Sequence, residues 1–176
     1  YSVSAGEKSI VCILGTGANS CVFDGQNVLK TQPSLGYVLG DEGSGAYVGK
    51  LLLQHYFRNR MPKEIRIDFE SMFDLDADLV LDKVYRQPMA ARYLANFSRV
   101  LIDHKDHKYV YDLFVKVFSD FFDTYVLSYP EYETLRVHFV GSFAHYYNSM
   151  LRAAAKSRNI TLGKIVESPI AGLALY

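Results

Sequence analysis

Eight of the chain's twelve glycines lie between Gly15 and Gly49, and they cut the first third of the sequence into short β-prone runs. Ser9-Ile-Val-Cys-Ile-Leu14 is a continuous apolar run with β-branched residues, stopped by Gly15, which predicts a buried strand. Residues 20–24 and 27–31 follow, separated by Gly25-Gln26, so the three runs predict a meander. Residues 32–45, rich in glycine and turn formers, read as loop.

From Ser44 the period changes from strand to helix. Leu51, Leu52, His55 and Tyr56 share a face, and further helices fit residues 63–73, 77–85 and 90–102. Between Tyr109 and Val126, the residues Val110, Leu113, Phe114, Val117, Phe118, Phe121, Phe122 and Tyr125 recur at helical steps. So wide a stripe predicts a central packing helix. Residues 136–140 form a second buried-strand candidate, followed by a helix over 143–158, a strand over 163–166 and a short helix opened by Pro169. Strand and helix alternating at the end of a chain imply parallel pairing with right-handed crossovers. The pattern is that of one α/β lobe.

Composition limits the function. With 176 residues, 49% of them hydrophobic, the chain has enough apolar material for a real core. Nineteen basic against nineteen acidic side chains leave no electrostatic footprint for nucleic acid. Cys12 and Cys21 are too few for a disulfide framework, and neither a signal peptide nor a long apolar run is visible, so a cytoplasmic setting is expected. A first residue that is Tyr rather than Met suggests an excised piece.

Three glycine constellations could carry chemistry. Leu14-Gly-Thr-Gly-Ala-Asn-Ser20 joins the first two strands; it is either a tight hairpin or a backbone cradle for phosphate. It is neither a Walker loop nor a dinucleotide fingerprint. Leu35-Gly-Tyr-Val-Leu-Gly-Asp-Glu-Gly-Ser-Gly45 sets Asp41 and Glu42 among four glycines just before a helix. Asp41 or Ser44 could simply cap that helix, but capping does not call for such glycine density. The density suggests close approach to a hydroxyl-rich ligand. Val140-Gly-Ser-Phe-Ala144 ends a strand and opens a helix, where open α/β sheets bind ligands; Ser142 is a candidate cap.

Other residues support less. His104 and His107 lie in an Asp-His-Lys-Asp-His-Lys run that reads as a solvated turn, with no further ligand to complete a zinc set. His138 reads as a core histidine, and no Gly-x-Ser-x-Gly elbow is present. No metal-ligating set is expected.

Taken together, Ile13-Leu-Gly-Thr-Gly-Ala-Asn-Ser20, the Gly-Asp-Glu-Gly-Ser turn, Val140-Gly-Ser-Phe-Ala144 and the terminal Ser168-Pro-Ile-Ala-Gly172 resemble N-acetylglucosamine kinases. These belong to the BadF/BadG-type ATPases of the sugar kinase, heat-shock chaperone and actin superfamily. The resemblance implies a ribonuclease H-like, actin-like ATPase lobe. Its mixed sheet would have about five strands, a three-strand meander plus parallel strands, with helices on both faces and a helical insertion. It covers only the C-terminal lobe of a two-lobed kinase, so residues 1–176 are expected to form a single lobe without the N-terminal one.

By that resemblance Gly15, Thr16, Gly17, Asn19 and Ser20 match a phosphate loop, and Gly141, Ser142 and Ala144 match the segment facing adenosine. Asp41 matches a carboxylate that binds sugar hydroxyls, with Gly36 and Glu42 lining the same pocket. The implied ligands are ATP, Mg²⁺ and an amino sugar, N-acetylglucosamine or glucosamine; a homodimer is among the assemblies it allows. No catalytic residue is expected in this chain, because the family's Asp-x-Gly loop and its general base belong to the N-terminal lobe. The lobe alone is therefore expected to turn over little. The alternative is a non-catalytic sugar- or nucleotide-binding module, or a dehydratase-activator-type ATPase of the same superfamily.

Overall fold

A computed structural model describes residues 3, 4 and 6–168. Three strands open the chain: β1 (Ser9–Leu14), β2 (Ala18–Phe23) and β3 (Val28–Thr31). They form the expected meander, with Cys12 opposite Ser20 and Val22 opposite Lys30 in antiparallel register. Two later strands, β4 (Val137–Val140) and β5 (Leu162–Val166), add in parallel on the other side of β1, giving the order β3-β2-β1-β4-β5. The result is a mixed five-stranded α/β sheet, as the sequence predicts.

Side chains alternate across this sheet with the strand period. Ile10, Cys12 and Leu14, then Ala18, Ser20 and Val22, then Val137 and Phe139 are buried on one face. On the other, Val11, Asn19 and Cys21 are only half-buried and Ile13 is 57% exposed. The terminal helix expected from Pro169, and the quoted residues beyond Ser168, lie outside the described residues.

The buried face is covered by α6 (Lys108–Phe121), whose buried residues are those of the aromatic stripe up to Phe121. Phe121 and Phe122 both meet Phe139 of β4, with ring centroids 5.8 and 5.9 Å apart. The helix then loosens into a π-turn over Phe122–Val126.

Between β3 and α6 lies a helical insertion: α1 (Gly36–Leu39), α2 (Gly45–Phe57), α3 (Lys63–Met72), α4 (Ala77–Tyr85) and α5 (Ala90–Asn96), the last continuing as a 3₁₀ turn over Phe97–Leu101. The short α1 corrects the expectation of loop throughout residues 32–45. The helix expected over 143–158 is two: α7 (Ser142–Tyr146) and α8 (Asn148–Lys156). They break at Tyr147, whose ring stacks on Phe114 at 3.6 Å between centroids. Ser142 is the first residue of α7 and makes no capping hydrogen bond; Gly141 occupies the cap position. Among the described residues, no helix is long and apolar enough to cross a membrane.

Candidate functional site

The site is built around how the turn after β1 meets the start of α2. Leu14 and Ala18 still pair, so residues 15–17 form a tight turn, closed by the Gly15 amide donating to the Gly17 carbonyl at 3.0 Å. The first amides of α2 need acceptors that the helix cannot supply. Gly45 donates to the Gly15 carbonyl at 2.7 Å and Ala46 to the Thr16 carbonyl at 3.1 Å, while the Ser44 hydroxyl accepts from Tyr47 at 3.1 Å. Helix and turn therefore cap each other.

That arrangement orients the turn. In a trans peptide the N–H points opposite to the C=O. Because the Gly15 and Thr16 carbonyls face α2, the amides of Thr16 and Gly17 face away from it. Among the described residues neither amide has a hydrogen-bond partner. Two successive amides pointing outward beside a helix N-terminus make an anion cradle.

The acidic turn reaches the same place from the other side. Asp41 is only 7% exposed and takes a left-handed backbone, with φ 61°. Its Oδ1 accepts the Ala18 amide at 3.3 Å, its own amide donates to the Tyr125 hydroxyl at 3.0 Å, and its carbonyl accepts from Ser44 at 3.0 Å. A Cβ on Gly17 would lie 3.4 Å from the Asp41 carboxylate, so the two loops touch. Glu42 has one buried carboxylate oxygen, Oε2, without a partner among the described residues.

Gly15, Thr16, Gly45, Ser142 and Phe143 line a cavity of about 590 Å³. Its opposite wall comes from the helical insertion and carries Lys83 of α4, Arg92 and Tyr93 of α5, and Arg99 of the 3₁₀ turn. Three cations at one mouth stand out on a chain of zero net charge. Sequence reasoning missed them. Arg92 and Arg99 lie two helical turns apart, which puts them on one face, but a surface helix commonly shows as much.

Several expected site residues have other tasks. The Ser20 hydroxyl turns into the core, 3.0 Å from the Tyr129 hydroxyl and 3.4 Å from the Tyr125 carbonyl. Asn19 uses its side-chain oxygen on the Ser20 amide at 2.7 Å. Ala144 is fully buried, and the neighbouring Phe143 lines the cavity in its place. Gly141, with φ 131°, is required because a Cβ there would fall 2.0 Å from the Leu14 carbonyl oxygen. Gly36 has φ 70° and open space where a Cβ would go. Neither Gly36, Asp41 nor Glu42 lines the cation-rimmed cavity, and nor does Gly17; Asp41 lies against Gly17, the residue after Thr16 of its wall.

Glycine density in the acidic turn also has an internal cause. A Cβ on Gly43 would sit 2.8 Å from Phe121, and one on Gly45 would sit 3.1 Å from Ala95. These glycines let helices approach one another and do not by themselves report a ligand.

His138, His107, His104 and the two cysteines have structural surroundings. His138 is 6% exposed, and its Nδ1 accepts the Lys164 amide at 2.9 Å at the irregularity between β4 and β5. Burial, followed by the charges of Lys164 and Arg136, lowers its pKa. His107 accepts the Tyr109 amide as the cap of α6, and His104 pairs with Asp68 at 2.7 Å. Cys12 and Cys21 lie on adjacent strands, pairing with Ser20 and Val11 respectively, so they project to opposite faces of the sheet. Burial raises the pKa of both thiols. Among the described residues, no group of three or more His, Cys, Asp or Glu could hold a metal ion.

No family model matches the chain, and no curated protein matches it. Solved structures do. The crystal structure of a "Putative N-acetylglucosamine Kinase" from Porphyromonas gingivalis is 39% identical, with a TM-score of 0.92 over 99% of this chain and 62% of its own. One of the same name from Chromobacterium violaceum is 18% identical, with a TM-score of 0.60 and the same coverages; at that identity the likeness shows the fold alone. The chain thus spans 62% of the length of each.

Proposed function

We propose that this chain is the C-terminal lobe of an ATP-dependent amino-sugar kinase of the BadF/BadG type. The reaction moves the γ-phosphoryl group of ATP to the 6-hydroxyl of N-acetylglucosamine, giving ADP and the sugar 6-phosphate. One observation carries the reading. Gly15 and Thr16, Gly45, and Ser142 come from three separate constellations, yet they line one cavity faced by Lys83, Arg92 and Arg99. The name of the 39%-identical solved structure supports the substrate class.

In this reading the Thr16 and Gly17 amides receive phosphate oxygens, and the three cations offset the polyphosphate charge. Asp41, next to Gly17, accepts sugar hydroxyls and so orients the acceptor toward the phosphate turn. Hydrogen bonds of this kind select a sugar because a wrong one leaves buried groups unpaired. Transfer depends on positioning and charge neutralisation rather than on covalent work by the protein. The base that takes the 6-hydroxyl proton belongs to the N-terminal lobe.

Mg²⁺ would arrive with the nucleotide, since it is held largely by phosphates and water; among the described residues no group of three or more His, Cys, Asp or Glu could hold it. The setting is cytoplasmic. Calorimetric titration tests the proposal: the 176-residue chain should release heat with Mg-ATP and with N-acetylglucosamine, and should phosphorylate nothing alone. No heat with either ligand would overturn the reading, and brisk turnover by the chain alone would overturn its dependence on a second lobe.

A further inference from the structure

The aromatic helix changes pitch where it passes the acidic turn. After Phe121 the chain adopts a π-turn over Phe122–Val126, closed by the Leu127 amide donating to the Phe122 carbonyl at 2.9 Å. Such turns are uncommon but are frequent at functional sites. Tyr125 lies inside this one and is held at both ends. Its carbonyl accepts the Ser128 hydroxyl at 2.9 Å and the Ser20 hydroxyl at 3.4 Å. Its ring stacks on Phe121 at 5.1 Å between centroids, and its hydroxyl accepts the Asp41 amide at 3.0 Å.

Asp41 needs such a partner. Aspartate tolerates the left-handed region better than most non-glycine residues, but still at a cost, and it persists there where its surroundings over-determine it. Here the Tyr125 hydroxyl fixes the Asp41 amide and the Ser44 amide fixes its carbonyl. With both ends of the residue held, the carboxylate is set on Ala18 beside Gly17. The Tyr125 hydroxyl proton has no acceptor among the described residues.

We infer that Tyr125 is a positioning residue for the sugar site: it acts through the Asp41 backbone and fixes where the acidic turn presents its carboxylate. This rests on the reading that Asp41 receives sugar hydroxyls. The π-turn is the means, because it delivers the tyrosine hydroxyl to the turn while the Ser20 hydroxyl ties the same residue to the strand beneath the phosphate loop.

The test is Tyr125→Phe in the intact protein, which removes one hydroxyl and keeps the ring on Phe121. Loss of one hydrogen bond predicts exchange of the Asp41 amide faster by about tenfold or more, and N-acetylglucosamine affinity weaker by about tenfold. The KM for ATP should stay within about twofold, because the phosphate turn keeps its bonds to α2. Faster exchange with unchanged sugar affinity overturns the inference, as does unchanged exchange. Should the variant not fold, the wild type decides: N-acetylglucosamine should slow exchange of the Asp41 amide and ATP alone should not, and the reverse overturns it. A wild type that binds no sugar overturns the functional reading itself, an outcome distinct from a wild type and variant that bind sugar equally.

Discussion

The carboxylate of Asp41 accepts the backbone amide of Ala18 at 3.3 Å, tying the acidic turn to the strand that leaves the turn at residues 15–17. Both loops then meet α2 within three residues of its start, through Ser44, Gly45 and Ala46. Both loops are thereby hydrogen-bonded to one helix N-terminus, which fixes their relative placement. The arrangement suits a reaction in which donor and acceptor must be aligned before transfer.

Asp41→Asn should separate the charge of this residue from its structural bond. The amide oxygen can still accept from Ala18, so the melting temperature should change little. N-acetylglucosamine affinity should fall by roughly tenfold or more, since bonds to a charged acceptor are about twice as strong as neutral ones. Asp41→Ala removes the acceptor as well and leaves a buried amide unpaired, which costs about 1–3 kcal/mol of stability. Thermal melts and calorimetry on the two variants check the split; equal destabilisation by both would show that the charge itself holds the fold.

Two glycines should respond in opposite ways to the same methyl group. At Gly49 a Cβ would lie 1.8 Å from the Leu94 carbonyl oxygen, between α2 and α5, so Gly49→Ala must push the helices apart. Overpacking of this kind costs about 1–3 kcal/mol, and more where backbone is the obstacle. At Gly15 nothing lies within 4 Å of the added Cβ. Gly15→Ala should therefore melt like the wild type and lose ATP affinity by crowding the phosphate cradle. A Gly15 variant that binds ATP normally would place the phosphates elsewhere.

How much of this could be read beforehand follows from the range of each interaction. The glycine-stopped run of β1 and the stripe from Val110 to Phe121 are local patterns, and both elements lie where their periods predict. The π-turn after Phe121 is not local. Its carbonyl bonds reach Ser20 and its hydroxyl bond reaches Asp41, both far away in sequence. The break at Tyr147 depends in the same way on Phe114. The glycine run was legible as unusual, but its partial cause, the contacts of Gly43 with Phe121 and of Gly45 with Ala95, required the packed helices. Ser20 and Asn19 match a phosphate loop through the family resemblance, while the strand period turns the Ser20 side chain into the core.

The cation rim should be readable through salt. Arg92 and Arg99 are exposed, and among the described residues the Arg99 side chain has only a long 3.5 Å contact with Asn96, so replacing either should leave the fold intact. Arg92→Ala and Arg99→Ala should each weaken Mg-ATP binding by about threefold to tenfold at low salt, with the loss shrinking as salt screens the charges. N-acetylglucosamine binding should not change. Calorimetry at two salt concentrations is sufficient. Salt-independent ATP binding unaffected by either substitution would remove the rim from the nucleotide site.

His138 should make stability fall as pH drops below neutrality. Burial and the nearby Lys164 and Arg136 hold its folded pKa under the ordinary 6.5, and its Nδ1 must stay unprotonated to accept the Lys164 amide. His55 is shifted the same way, by burial and then by Arg60, Arg58 and Lys116. Below 6.5 the unfolded chain takes up protons that the folded chain refuses, so the unfolding free energy decreases as pH falls toward the folded values and levels off beneath them. Well above 6.5, where the rings are neutral in both states, neither contributes a slope. Denaturant melts between neutral pH and the upper end of the carboxylate range isolate the two histidines, because the paired carboxylates lose their protons lower down. His138→Asn keeps a side-chain oxygen that can accept from Lys164 and removes the titrating ring. It should flatten part of that slope and leave the remainder to His55. A His138→Asn variant with the full wild-type slope would mean that the ring is not held neutral by this strand pair.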